Sequence, residues 1–141
     1  GYKISPNGSM NSMTDSNPAA TFTYLARELG PRVGYLKVTE TISRAGAVGA
    51  ARRVTPELRR MFRGAMIVNG GYDRASGQAA IESRESDLVA YGELFIANPD
   101  LPSRFGAMAT LNAPDPTTYY AGEENGYLDY PSLDQARTAA A

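Results

Sequence analysis

The stretch Thr55-Pro56-Glu57-Leu58-Arg59-Arg60-Met61-Phe62-Arg63-Gly64-Ala65-Met66-Ile67-Val68-Asn69-Gly70-Gly71 decides the fold. Threonine before proline opens a helix, because proline's missing N–H and preset φ suit the first helical position. Leu58, Met61 and Phe62 form its apolar stripe, and Gly64 stops it. Residues 65–68 read as a strand, and Gly70-Gly71 follow as a loop at that strand's C-terminal end. Helix, strand, glycine loop is one step of an alternating α/β chain.

The same step recurs on both sides. Upstream, residues 2–5 alternate like a short strand that stops at Pro6, with Asn7, Gly8, Ser9 and Asn11 as a loop. Asn17 before Pro18 caps a helix whose face is Phe22, Leu25, Ala26 and Leu29, ended by Gly30 and Pro31. Residues 33–38 form an apolar, β-branched and aromatic run that suits a buried strand, and the Gly- and Ala-rich residues 45–51 read as a mobile loop. Downstream, Asp73 caps a helix to about Glu82, and 88–91 is a fourth strand. Alternation of this kind predicts a parallel sheet with right-handed helical crossovers. Beyond Leu101 the pattern dissolves into a Pro-, Asn- and Tyr-rich tail whose last residues, 138–141, read as frayed. The expected organisation is a half-barrel over 1–105 and an irregular tail over 106–141.

Composition narrows the chemistry. With 43% hydrophobic and 21% charged residues, the 141-residue chain has enough apolar material for one core, so disorder is not expected. No apolar run approaches the roughly 20 residues of a transmembrane helix, and the N-terminus lacks the order of a signal peptide, so the expected address is cytoplasmic. Absence of cysteine and histidine removes thiolate nucleophiles, imidazole bases and the commonest metal ligands, and no metal is expected. A net charge of −1 gives no bulk attraction to nucleic acid or membrane. The cluster Arg52, Arg53, Arg59, Arg60 and Arg63 reads as the solvated face of a helix, with polyanion binding ranked last.

In a parallel sheet, functional loops leave the C-terminal strand ends. Two such loops carry glycine: Asn69-Gly70-Gly71 after the third strand and Gly92 after the fourth. Glycine lets backbone amides approach an anion, and the next helix N-terminus adds a favourable dipole. On spacing alone, such glycines are more often plain turn residues.

Five stretches raise that signal: Tyr2-Lys3-Ile4-Ser5-Pro6; Asn11-Ser12-Met13; Val68-Asn69-Gly70-Gly71-Tyr72-Asp73; Asp87-Leu88-Val89-Ala90-Tyr91-Gly92 running on to Phe95-Ile96-Ala97-Asn98-Pro99-Asp100-Leu101; and Gly126-Tyr127-Leu128-Asp129-Tyr130-Pro131. In order and spacing they resemble the Old Yellow Enzyme family of FMN-dependent ene-reductases, in the version found in plant oxophytodienoate reductases and their microbial relatives. The resemblance implies an α/β fold, half of a (β/α)8 TIM barrel, these strands being its fifth to eighth. A whole barrel takes about 250 residues, so the first four strands are expected outside this chain. With them would lie most flavin-ring contacts, the substrate-binding histidine pair or His-Asn pair, and the proton-donating tyrosine.

Family roles carry over to a limited set of positions. Lys3 stands where the family usually has an arginine near the flavin ring, and its charge favours a reduced, anionic flavin. Asn69, Gly70, Gly71 and Gly92 match positions around the FMN phosphate. Met10 and Tyr120 match positions lining the substrate mouth. Glu93 replaces the arginine that clamps the phosphate; opposed charges about 4 Å apart in a partly shielded site interact by roughly 4 kcal/mol, so the reversal of sign bears on FMN affinity. Ala121, Glu123 and Glu124 stand where relatives often carry glycines. No catalytic residue is assigned.

The resemblance therefore implies an FMN-dependent NAD(P)H ene-reductase acting on enone-type substrates, with this chain as its phosphate end. The alternative is a flavin-free half-barrel working as a binding or assembly module, or an inactive fragment. Helices on one side of four strands leave one sheet face and two strand edges uncovered, which promotes pairing with an N-terminal half-barrel chain or with a second copy.

Overall fold

Asn17 and Asp73 show how local chemistry sets the elements. The Asn17 side chain accepts from the Ala20 N–H at 3.2 Å, with Pro18 next to it, and starts α1 (Pro18–Leu29). Asp73 accepts from the Ser76 N–H at 2.8 Å while the Ser76 hydroxyl receives from the Asp73 N–H at 2.9 Å, a capping box that starts α3 (Arg74–Glu82). The structure is a computed structural model describing residues 1–8, 12–40 and 53–139. The predicted loop at 45–51 lies outside the described residues, as do Met10 and Arg52.

The chain divides into two compact units, Gly1–Ala90 and Tyr91–Ala141. In the first, β1 (Tyr2–Ile4), β2 (Tyr35–Thr39), β3 (Ala65–Asn69) and β4 (Leu88–Ala90) form one parallel sheet in the order β1-β2-β3-β4. With α1, α2 (Thr55–Met61) and α3 between successive strands, this is the predicted half of a (β/α)8 barrel. The strand expected at 33–38 runs instead over Tyr35–Thr39, and it is not buried on both faces: exposure alternates, with Leu36 and Val38 buried and Tyr35 exposed. Helices cover one side of the sheet, so only every second residue reaches the core.

That core joins Ile4, Leu36, Val38 and Met66 from the strands to Ala26, Leu58 and Phe62 from the helix side, with Phe22, Leu25 and Val33 packed around them. Each fully buried Leu or Phe side chain contributes about 1.5–3 kcal/mol. Met61, assigned to the same stripe, is 47% exposed. The helix ends at Met61, and Phe62, with extended backbone, turns inward in its place.

The second unit holds α4 (Glu93–Ala97), α5 (Leu101–Gly106) and α6 (Leu133–Ala139). Turns occupy most of the stretch between α5 and α6, as the irregular tail predicts, but α5 and α6 are elements the sequence pattern did not reveal. Thr138, expected to be frayed, lies in the last turn of α6, where its hydroxyl donates to the Asp134 carbonyl at 3.0 Å. No helix among the described residues is long and apolar enough to cross a membrane.

Candidate functional site

At the C-terminal end of β3 the chain makes a turn that only glycine tolerates. Gly70 has φ 120° and Gly71 has φ 81°, two consecutive left-handed residues directly before Tyr72 and the Asp73 cap. Asp73 already meets the start of α3 with a carboxylate, whose pKa the Ser76 hydroxyl and N–H hold below its usual value. An anion at this loop would therefore meet the Gly70-Gly71 backbone, not an unopposed helix dipole. Asn69 is anchored by hydrogen bonds to both neighbouring strand ends. Its Nδ2 donates to the Ala90 carbonyl at 2.7 Å, its Oδ1 receives from the Thr39 hydroxyl at 3.4 Å, and its carbonyl receives from the Glu40 N–H at 3.0 Å. The side chain ties the ends of β2, β3 and β4 together and so fixes where the glycine pair begins.

Lys3 lies on the sheet face away from the helices. The parallel register aligns Lys3 with Lys37, Lys37 with Ile67 and Ile67 with Leu88, and aligned residues share a face. Lys3 is exposed and Lys37 half-buried, and no ion pair among the described residues neutralises either. Like charges placed side by side on neighbouring strands repel each other. Sequence reading singled out Lys3 alone. The signal that would have found Lys37 is the period-two alternation of β2, which places a lysine between two core residues.

The same sheet end is held by Glu40, a buried carboxylate with no assigned role. It accepts from Asn7 Nδ2 at 2.7 Å, from the Val54 N–H at 2.8 Å, and from the Thr55 N–H and hydroxyl at 2.9 and 2.5 Å. The loop after β1 and the start of α2 thereby converge on one residue at the end of β2. Beside this hub a cavity of about 530 Å³ is lined by Asn7, Met13, Asn17, Arg53 and Glu57, among others; none of the assigned site residues among the described ones borders it.

The arginine cluster is not uniformly solvated. Arg53 donates to the Tyr72 hydroxyl at 2.8 Å and pairs with Glu85, and Arg59 pairs with Asp87 at 2.8 Å. Arg60 and Arg63 are exposed. Burial, opposed by Arg53 and reinforced by Glu85 and Glu40, pushes the Tyr72 phenol up to about 12.

In the second unit, Gly92 precedes α4, and a Cβ added there would meet nothing within 4 Å. Glu93 is the exposed first residue of α4, and Tyr120 is fully exposed. Among the described residues, this unit buries the apolar Ala97 and Leu101 together with the polar Asn98 and Arg104. Asn98 Nδ2 donates to the Leu94 and Asn112 carbonyls, while the Asn112 N–H donates back to Asn98 Oδ1 at 2.7 Å. Arg104, 3% exposed, donates to Asp100 Oδ1, the Thr110 carbonyl and the Pro131 carbonyl, each at 2.7 Å. The Leu133 N–H and then the Arg104 guanidinium hold the Asp100 carboxyl below its usual pKa. The Asn98-Pro99-Asp100-Leu101 and Gly126-to-Pro131 stretches thus build the unit itself.

A parallel sheet whose connecting helices cover one face, with a glycine loop at the C-terminal end of β3, is the architecture of part of a (β/α) barrel. No family model matches the chain. It is 42% identical over 144 residues to a putative 12-oxophytodienoate reductase 12 of Oryza sativa subsp. japonica, covering 95% of this chain and 36% of that relative. It is 39% identical over 138 residues to a 12-oxophytodienoate reductase-like protein of Solanum lycopersicum, covering 96% and 36%. Among solved structures, morphinone reductase matches with a TM-score of 0.87 at 40% identity over 95% of this chain and 36% of that one; another morphinone reductase structure is a complex with tetrahydroNAD. The Old Yellow Enzyme homologue from Zymomonas mobilis matches with a TM-score of 0.84 at 32% identity over 92% and 37%. Over the length it shares with these proteins, the chain is similar to 12-oxophytodienoate reductases, morphinone reductase and Old Yellow Enzymes. It spans little more than a third of the length of the curated relatives it matches.

Proposed function

We propose that this chain supplies the phosphate-holding end of an FMN-dependent NAD(P)H ene-reductase that reduces activated alkenes such as α,β-unsaturated carbonyl compounds. The observation that carries the reading is the consecutive left-handed pair Gly70-Gly71 at the C-terminal end of β3, in a chain homologous to 12-oxophytodienoate reductases. FMN, when bound, supplies hydride transfer from the nicotinamide to the alkene. The residues of this chain hold and orient it: Gly70, Gly71 and Gly92 offer backbone to the phosphate, and Lys3 offers a cation to the ring. Asn69 acts by positioning the glycine pair. Met10 and Tyr120 are proposed to line the substrate mouth. The tetrahydroNAD complex of morphinone reductase supports a nicotinamide as reductant.

The uncovered sheet face and the edges of β1 and β4 call for a partner, either an N-terminal half-barrel chain or a second copy. The test combines both claims. The 141-residue chain is mixed with FMN, alone and with the N-terminal two thirds of a 12-oxophytodienoate reductase, and passed over a sizing column. The expected result is flavin absorbance co-eluting with protein and NAD(P)H-dependent loss of 2-cyclohexenone absorbance in the complex. Protein that elutes colourless in both cases overturns the flavin reading.

One observation favours a second reading, a half-barrel without flavin used as an assembly module. The first turn of α4 carries Glu93 in place of the arginine that the family resemblance calls for. A carboxylate at that point opposes a phosphate directly.

A further inference from the structure

The in-register pair Lys3 and Lys37 is the one charged feature of the sheet that neither packing nor ion pairing accounts for. Like charges opposite each other on neighbouring strands are unfavourable. Lys37 cannot turn away, because Leu36 and Val38 on either side of it are buried at 0% and 1% exposure and a one-residue slip would expose both. Its neighbours in the row on the other side, Ile67 and Leu88, are apolar and offer no counter-charge. Glu40, the acidic residue nearest to Lys37 in sequence, is buried and committed to Asn7, Val54 and Thr55.

We infer that Lys3 and Lys37 form a two-cation seat for a single anionic group lying across β1 and β2, and that this group is the anionic edge of the reduced flavin ring. The inference rests on the flavin reading proposed above and adds Lys37 as a residue that tunes the cofactor's charge. A neutral oxidised ring gains little from a second ammonium, whereas an anionic reduced ring gains from both. Lys37 therefore acts on the difference between the two forms, and only such a difference moves an equilibrium.

The test measures dissociation constants of oxidised FMN and of dithionite-reduced FMN, the dithionite supplying two electrons and solvent the proton, on the 141-residue chain, on Lys37→Met and on Lys37→Arg. Lys37→Met is expected to weaken reduced FMN roughly tenfold more than oxidised FMN, the scale of one screened charge contact, and Lys37→Arg to restore the difference. Equal weakening of both forms, or none, overturns the inference and leaves the flavin reading standing. A flavin-free arm follows the lysine ε-methylene NMR signals during titration with inorganic phosphate. The expected result is that the Lys3 and Lys37 signals move on one saturation curve and that Lys37→Met abolishes the response at Lys3. That outcome in a chain that binds no flavin sustains the anion seat and removes the flavin reading; no response at either lysine overturns the seat.

Discussion

Glu40 Oε2 lies 2.9 Å from the Thr55 amide nitrogen and 2.5 Å from the Thr55 hydroxyl, so a carboxylate at the end of β2 caps the first turn of α2. Every donor around it is an N–H or O–H aimed inward. Glu40→Gln turns an NH2 group toward those donors and is expected to destabilise the first unit by about 2–3 kcal/mol, read as a lower urea midpoint with an unchanged slope. A variant as stable as the parent would show that the cap contributes nothing net.

Tyr72 makes high pH a probe of the first unit. Its folded pKa, about 12, lies above the ordinary 10 because the phenol is buried beside Glu85 and Glu40. Sign follows from the shift: the neutral phenol favours the fold, so its contribution is complete below pH 10 and is lost as pH rises toward 12. A loss on the order of 2–3 kcal/mol is expected over that window, with one of the nine tyrosines ionising late at 295 nm. Tyr72→Phe should remove both the late step and its share of the slope.

Arg104 has three acceptors in a buried setting, and lysine cannot reach them all with one ammonium. Arg104→Lys is expected to cost about 3 kcal/mol and to make the 107–132 stretch sensitive to limited proteolysis, with the first unit unaffected.

Gly126 sits at φ 68°, and an added Cβ would lie 2.0 Å from the Thr118 hydroxyl oxygen. Left-handed backbone alone costs a non-glycine residue roughly 1–2 kcal/mol. Gly126→Ala should therefore lower the melting temperature of the second unit, and Thr118→Ala made on top of it should recover only a fraction of the loss, because the Cβ of residue 118 still lies 2.5 Å from the added Cβ.

Glu93→Arg separates a weakened flavin site from an abandoned one. If the glycine backbone still accepts a phosphate, the variant should bind FMN roughly tenfold more tightly or better by fluorescence quenching, with the gain fading at high salt. No gain would favour the flavin-free module.

Much of the fold was legible because it is written in local chemistry. Asn17-Pro18 and Asp73 mark helix starts within a few residues, and Gly70-Gly71 mark a turn that other residues resist. The second unit was harder to read because α5 and α6 are short and lack a long apolar stripe; their order comes from Arg104, Asn98 and Asn112, polar residues whose partners are distant in sequence. Glu40 and Arg104 look like surface charges in the sequence and are buried in the structure.

By itself the sequence determined the alternation of strands and helices, the parallel sheet, the glycine loops and the likeness to Old Yellow Enzymes, since caps, turns and motifs act over a few residues. Only the tertiary structure decided that Met61 faces out while Phe62 faces in, that Asn69 ties strand ends together, and that Lys37 stands beside Lys3. The physical reason is register. Which residues of two strands lie side by side depends on where hydrophobic faces settle against the helices, and neither strand specifies that alone.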